Sequence, residues 1–368
     1  MALRDKPPFR ADHVGSLLRP AALAETREKH RKGEASDDDL RRMEDAAVLD
    51  AIGLQERVGL KGITDGEMRR DYWHLDFMCG FDGVELSQET YGMKFNAGIS
   101  VATTYVDGKV SYPEGGNMLD HFRYLNSEVH ETAKFCFPTA GMYHFRPGRD
   151  GVSEEAYPDL EEFWEDMGKA YNDAVMDFIA NGATYLQIDD VNFCYLCDQE
   201  QRERVAARGD DPDGLLDTYI KVNNASIAGR PDNVAVTTHM CRGNFQSSWM
   251  AQGGYEPVAE KMFNETDVDG FFMEFDSDRA GDFEPLRFVP KDKMVVLGLV
   301  TSKFPELESK DELKARVEEA SRYVDIDQLC ISPQCGFAST HHGNKLSEAE
   351  QEAKLALCVE VANEIWGE

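Results

Sequence analysis

Val234-Ala235-Val236-Thr237-Thr238-His239-Met240-Cys241 is a short run of β-branched and small residues that stops on an imidazole and a thiol. Its composition and length fit a buried strand, and Arg242-Gly243-Asn244 then breaks it. The same design recurs along the chain. Leu60 to Thr64 ends in Asp65-Gly66-Glu67, and Ala183 to Ile188 ends in Asp189-Asp190. Val268 to Met273 ends in Glu274, Lys293 to Val300 in Thr301-Ser302-Lys303, and Gln328 to Ser332 shortly before Cys335. With Phe9 to Ser16 and Ala133 to Pro138, eight strands are predicted.

Between most of them lie segments of helical period. From Leu160 to Ala180 the apolar residues Leu160, Phe163, Trp164, Met167, Tyr171, Ala174, Val175 and Phe178 recur at threes and fours. Asp159 offers an N-cap, and Asn181-Gly182 a stop. Lys310 to Val324 and Leu346 to Ile365 read likewise. Strands alternating with helices predict a parallel sheet, and eight such units predict one α/β domain over residues 1–368, a (β/α)8 TIM barrel. Residues 81–131 are rich in Gly, Tyr, Ser and Asn, with β-like pieces such as Ile99 to Val106. They read as an insertion after strand 2, a hairpin lid over the barrel mouth.

In such barrels the working site lies at the C-terminal strand ends, where the sequence puts its soft and charged residues. His239, Cys241, Glu274 and Cys335 make a complete tetrahedral shell for Zn2+. They come from three separate strand ends, unlike the tight local pairs of a metal that folds a small domain. Taken singly, each His or Cys is more often a buried structural residue than a metal ligand. Two thiolates, an imidazole and a carboxylate would give zinc a net charge near −1. Such a centre is poor at making hydroxide, but suited to holding an incoming thiol and lowering its pKa. Glu274, the hardest of the four ligands, is the one expected to yield to a substrate.

A second group surrounds it. Glu67, Asp189 and Asp190 could bind an ammonium group or take a proton; the competing reading, strongest for Asp190, is a helix cap. His13, Val14 and Ser16 end strand one, and the Gly15-Ser16 amides could cradle a carboxylate. Arg69, Arg70, Trp73 and His74 follow Glu67 and fit either a cleft wall or an ordinary helix. Cys194 and Cys197 form a lone C-x-x-C with aromatic flanks and no second pair, so burial explains them better than metal or redox work.

Composition narrows the class further. The 368 residues are 42% hydrophobic and 10% aromatic, and no run of 18 or more apolar residues suggests a membrane span. The first residues lack the apolar core of a signal peptide, and eight cysteines in this length suit a reducing, cytoplasmic setting. With 39 basic and 69 acidic side chains the formal net charge is −30, a field that repels nucleic acid and anionic membranes. A thiol-holding zinc predicts a small-molecule thiol and a methyl or alkyl donor as partners, and the sequence leaves a homo-oligomer open.

Asp12-His13-Val14-Gly15-Ser16, Asp65-Gly66-Glu67, Gln187-Ile188-Asp189-Asp190, Thr238-His239-Met240-Cys241 and Pro333-Gln334-Cys335-Gly336 resemble, in order, the motifs of the cobalamin-independent methionine synthase family. The resemblance covers most of the chain and corresponds to that family's C-terminal catalytic barrel. It implies zinc on His239, Cys241, Glu274 and Cys335, a homocysteine amino group on Glu67 and Asp189, and its carboxylate at Val14 and Ser16. The implied activity is zinc-dependent methyl transfer to homocysteine, giving methionine. Longer members carry an extra N-terminal barrel, which is not expected from these 368 residues, and a catalytic His after strand seven, where this chain has Thr301. Short single-barrel relatives beginning His-Val-Gly-Ser-Leu-Leu-Arg-Pro are more similar. One branch resembles epoxyalkane:coenzyme M transferase, so another thiol and an epoxide remain an alternative, as does a non-catalytic zinc-binding barrel. A uroporphyrinogen-type decarboxylase would need no zinc set.

Overall fold

The computed structural model describes residues 4–87, 89 and 102–367. Nine strands are present among them: β1 Gly62–Ile63, β2 Asp82–Ser87, β3 Thr103–Ser111, β4 Thr132–Pro138, β5 Tyr185–Asp190, β6 Ala235–Met240, β7 Gly270–Glu274, β8 Met294–Val300 and β9 Leu329–Pro333. Seven of them form one curled parallel sheet in the order β1-β4-β5-β6-β7-β8-β9, so each strand pairs with the next one along the chain. Helices make the crossovers, as parallel neighbours require. β5, β7, β8 and β9 are buried along their whole length, which explains their continuous apolar runs.

The segment predicted as strand one behaves differently. It makes one parallel bridge, Ala11 to Ile331 of β9, and side-chain rather than ladder contacts to β1. His13 Nε2 lies 3.2 Å from Gly62 O, and Thr64 Oγ1 donates to Gly15 O at 2.6 Å. The reason is local: Asp12 accepts the backbone N–H groups of Phe9 and His13 on its own carboxylate, leaving less for a ladder. The same carboxylate holds Lys134 Nζ of β4 at 3.0 Å and the Tyr185 hydroxyl of β5 at 2.8 Å. The expected eighth strand is thus a tether between the two edge strands, and the observed sheet has seven strands.

Leu160–Ala180 is helical over the predicted range, with Asp159 accepting Glu161 N–H and Gly182 left-handed at φ +99° after the stop. The helix predicted from Lys310 ends at Ala320, short of Val324, and the last helix runs Glu348–Trp366. Between β1 and β4 the hairpin β2–β3 forms a separate antiparallel pair. It leans on the 160–180 helix side, where Val110 N–H donates to the Tyr157 hydroxyl at 2.7 Å. Residues 88 and 90–101, part of the expected lid, fall outside the described residues. No helix among the described residues is long and apolar enough to cross a membrane.

Candidate metal centre and substrate cleft

The parallel sheet brings three strand ends together. His239 is the penultimate residue of β6 and Cys241 follows its end; positions i and i+2 share a face, so both point the same way. Cys241 keeps that register because its N–H still donates to Asp190 O at 3.0 Å. Glu274 is the last residue of β7, and Cys335 lies two residues beyond β9. One ligand atom from each of the four lies within 4.8 Å of all the others, and all four residues are buried. The two sulfurs are 3.4 Å apart.

Two observations test whether these residues fit a metal. Neither ring nitrogen of His239 makes a hydrogen bond of ordinary geometry although the residue is 2% exposed, its one polar neighbour of note being the Cys335 thiol, a position that a coordinated ion would satisfy. The protonation state of the thiols points the same way. Cys335 is held well below its ordinary pKa by the hydrogen bond from Cys241, with His239 adding to it against the effect of burial. Cys241 is pushed well above, by the same bond and by burial. One proton shared between two close sulfurs is what a soft divalent cation would replace. The donor set fits zinc.

Glu274 is held from outside the cluster. Its Oε1 accepts Arg242 N–H at 3.0 Å, and its Oε2 accepts Gln334 Nε2 and Arg279 Nη2, each at 3.1 Å. Gln334 is in turn fixed by the Thr301 hydroxyl, which donates to its Oε1 at 2.7 Å. Such outer partners orient a ligand and tune its basicity. Thr301 thus reaches the centre through Gln334 and does not line the cleft.

A cleft adjoins the cluster, and Val14, Ser16, Glu67 and Asp189 line it together with His239, Cys241 and Cys335. Glu67 is aimed there by a tight turn. Asp65 Oδ1 accepts its N–H at 2.7 Å, Gly66 is left-handed at φ +63°, and Glu67 itself adopts φ +56°. A Cβ on Gly15 would lie 2.6 Å from Glu67 Oε1, so that glycine makes room for the carboxylate. Arg70 Nε donates to the other oxygen, Oε2. Asp189 is pushed up to about 7 by burial, with Glu67 adding repulsion and His239 opposing; Gln187 Nε2 donates to its Oδ1 at 2.7 Å.

Besides Thr301, two more of the predicted site residues do not line the cleft. His13 is buried against Gly62 inside the sheet. Asp190 caps the helix Asn192–Tyr195, accepting the N–H groups of Asn192 and Phe193 on Oδ1 and Asn223 Nδ2 on Oδ2. Arg70 and Trp73 do line the cleft. Arg146 and Tyr195 also line it, and sequence reading missed both, because an Arg before Pro-Gly and a Tyr in an apolar helix look like surface and core. Cys194 and Cys197 are buried free thiols, the latter pushed up to about 12 by burial.

A curled parallel α/β sheet carrying a His-Cys-Glu-Cys cluster beside a cleft of mixed charge defines a class: barrel-like α/β proteins with a candidate metal centre. The family follows from comparison. Residues 152–364 match the model of the cobalamin-independent synthase catalytic domain, and the chain belongs to that family. The uncharacterised protein YxjG of Bacillus subtilis is 44% identical over 366 residues, covering 99% of this chain and 96% of its own. The methionine synthase of Sulfolobus acidocaldarius is 24% identical over 331 residues, covering 88% and 84%. The crystal structure of a putative vitamin-B12-independent methionine synthase from Listeria monocytogenes shares 35% identity and a TM-score of 0.80, covering 99% of this chain and all of the other.

Proposed function

We propose that the chain is a zinc-dependent thiol alkyltransferase that moves a methyl group onto homocysteine to give methionine. The observation that carries this reading is the convergence of His239, Cys241, Glu274 and Cys335 within 4.8 Å at one edge of the cleft. Bound there, zinc would supply a Lewis acid that stabilises a thiolate at neutral pH without redox chemistry. The chain's own residues do the rest. Glu67 and Asp189 receive the amino group of the thiol substrate, and Val14 and Ser16 line the wall where its carboxylate would sit. Arg70 keeps Glu67 in position and the Gly15 contact keeps it close. The substrate sulfur, its proton released to solvent, attacks the methyl carbon in line: the S–C bond forms as the bond to the donor breaks, and the donor leaves with that electron pair and takes up a proton from solvent. Holding sulfur and carbon in contact supplies proximity and orientation. The whole chain acts as a single catalytic domain, with the N-terminal tether spanning the gap between the two edge strands of the seven-stranded sheet.

Purified protein should carry about one zinc per chain, and Cys241→Ser or Cys335→Ser should lose most of it, as removal of one of four ligands demands. Metal analysis by plasma mass spectrometry reads this directly. Full zinc retention in both variants would sink the assignment.

A further inference from the structure

Arg146 is a charged cleft residue that the proposed chemistry leaves unused. It follows the short helix Met142–Phe145, lines the cleft and is 4% exposed. Its Nη1 donates to His74 Nε2 at 3.3 Å, the Tyr195 hydroxyl lies beside it, and its Nε has no partner. Both neighbours are neutral: burial, then the charges of Arg146 and Arg70, hold His74 well below its ordinary pKa. Among the described residues no carboxylate forms an ion pair with Arg146. Elsewhere, in a chain with 69 acidic side chains, Arg31, Arg41, Arg69 and Arg287 all sit on carboxylates. Arg204, stacked over Phe145, adds a second positive charge on the same side.

A buried guanidinium without a counter-charge is strongly unfavourable. Where it faces a cavity, the counter-charge can arrive with a ligand. We propose that Arg146 is the seat for an anionic group (a carboxylate, sulfonate or phosphate) carried by a small-molecule substrate of this cleft. The cleft then has a cation-binding end at Glu67 and Asp189 and an anion-binding end at Arg146, whose planar fork suits a carboxylate or sulfonate. The identity of the ligand as thiol or alkyl donor rests on the function proposed above; the need for an anion does not.

Matched probes test this by calorimetry on the zinc-loaded protein and on Arg146→Gln and Arg146→Lys. On the thiol side, 3-mercaptopropionate and 2-mercaptoethanesulfonate are compared with uncharged 2-mercaptoethanol. On the donor side, methyltetrahydrofolate is compared with its uncharged methylpterin fragment. The Gln variant should bind the anionic members of at least one set about tenfold more weakly or worse, as loss of a charged hydrogen bond implies. The Lys variant should recover part of the loss, and the neutral members should be unaffected. The set that responds identifies which substrate carries the anion. Unchanged affinity for every anionic probe overturns the seat, as does an equal loss on the neutral ones, or a wild type that binds no anionic probe. Zinc content and the zinc-edge spectrum of the same samples separate the two claims. An Arg146 effect without zinc keeps the seat and removes the alkyl-transfer reading; a normal zinc and thiol response without an Arg146 effect does the reverse.

Discussion

At the scale of single residues, burial decides what each polar group can do. His13 and His239 both end predicted strands, yet their surroundings differ completely. His239 makes no hydrogen bond of ordinary geometry and faces two thiols and a carboxylate. His13 has Gly62 O on one nitrogen and lies under Lys134. Burial, then the Lys134 charge, pushes His13 down to about 4 from its ordinary 6.5, although Asp12 opposes the shift. The unfolded chain therefore takes up this proton first as pH falls. The stability that neutral His13 contributes is fully present above pH 6.5 and is lost as pH falls towards about 4. In metal-free protein, His13→Gln should remove that part of the slope: urea midpoints of wild type should fall more steeply than those of the variant across this window. Parallel slopes would show that His13 is not held neutral.

At the scale of elements, the strand ends were the legible part. Short β-branched runs ending in Glu67, Asp189, His239, Glu274 and Cys335 have a period and a boundary that sequence expresses directly, and each of these residues lies at or just beyond a strand end. The N-terminal tether was less legible, because its backbone amides turn inward to Asp12, a choice made by the fold and not by local propensity. Nor could pattern reveal Arg146, whose role depends on which loop faces the cleft. The tether makes a quantitative prediction. Lys134 and Asp12 have fully buried side chains 3.0 Å apart. Lys134→Met would leave Asp12 charged and unpaired, and should cost about 3–5 kcal/mol. Adding Asp12→Asn should return part of that loss. Urea unfolding of the single and double variants measures both, and a single variant within about 0.5 kcal/mol of wild type would mean that this pair does not anchor the tether.

At the scale of the molecule, a strongly acidic chain still keeps, among its described residues, two buried cations without an ion pair near one site. Arg146 faces the cleft without a counter-charge, and Lys303, 1% exposed and with its Nζ unpartnered, lies within electrostatic reach of Cys241 and Glu274. Such placement suits a centre that two thiolates and a carboxylate would make negative, and a cleft that takes up a charged substrate. Family membership supports methyltransferase chemistry, and the proposal places that chemistry at the cluster. The direct test is zinc-edge X-ray absorption of the purified protein with and without homocysteine. The account predicts a zinc shell of two sulfurs with nitrogen and oxygen, gaining one more sulfur when the thiol is added. A shell that does not change with homocysteine, or protein that holds no zinc, would contradict it.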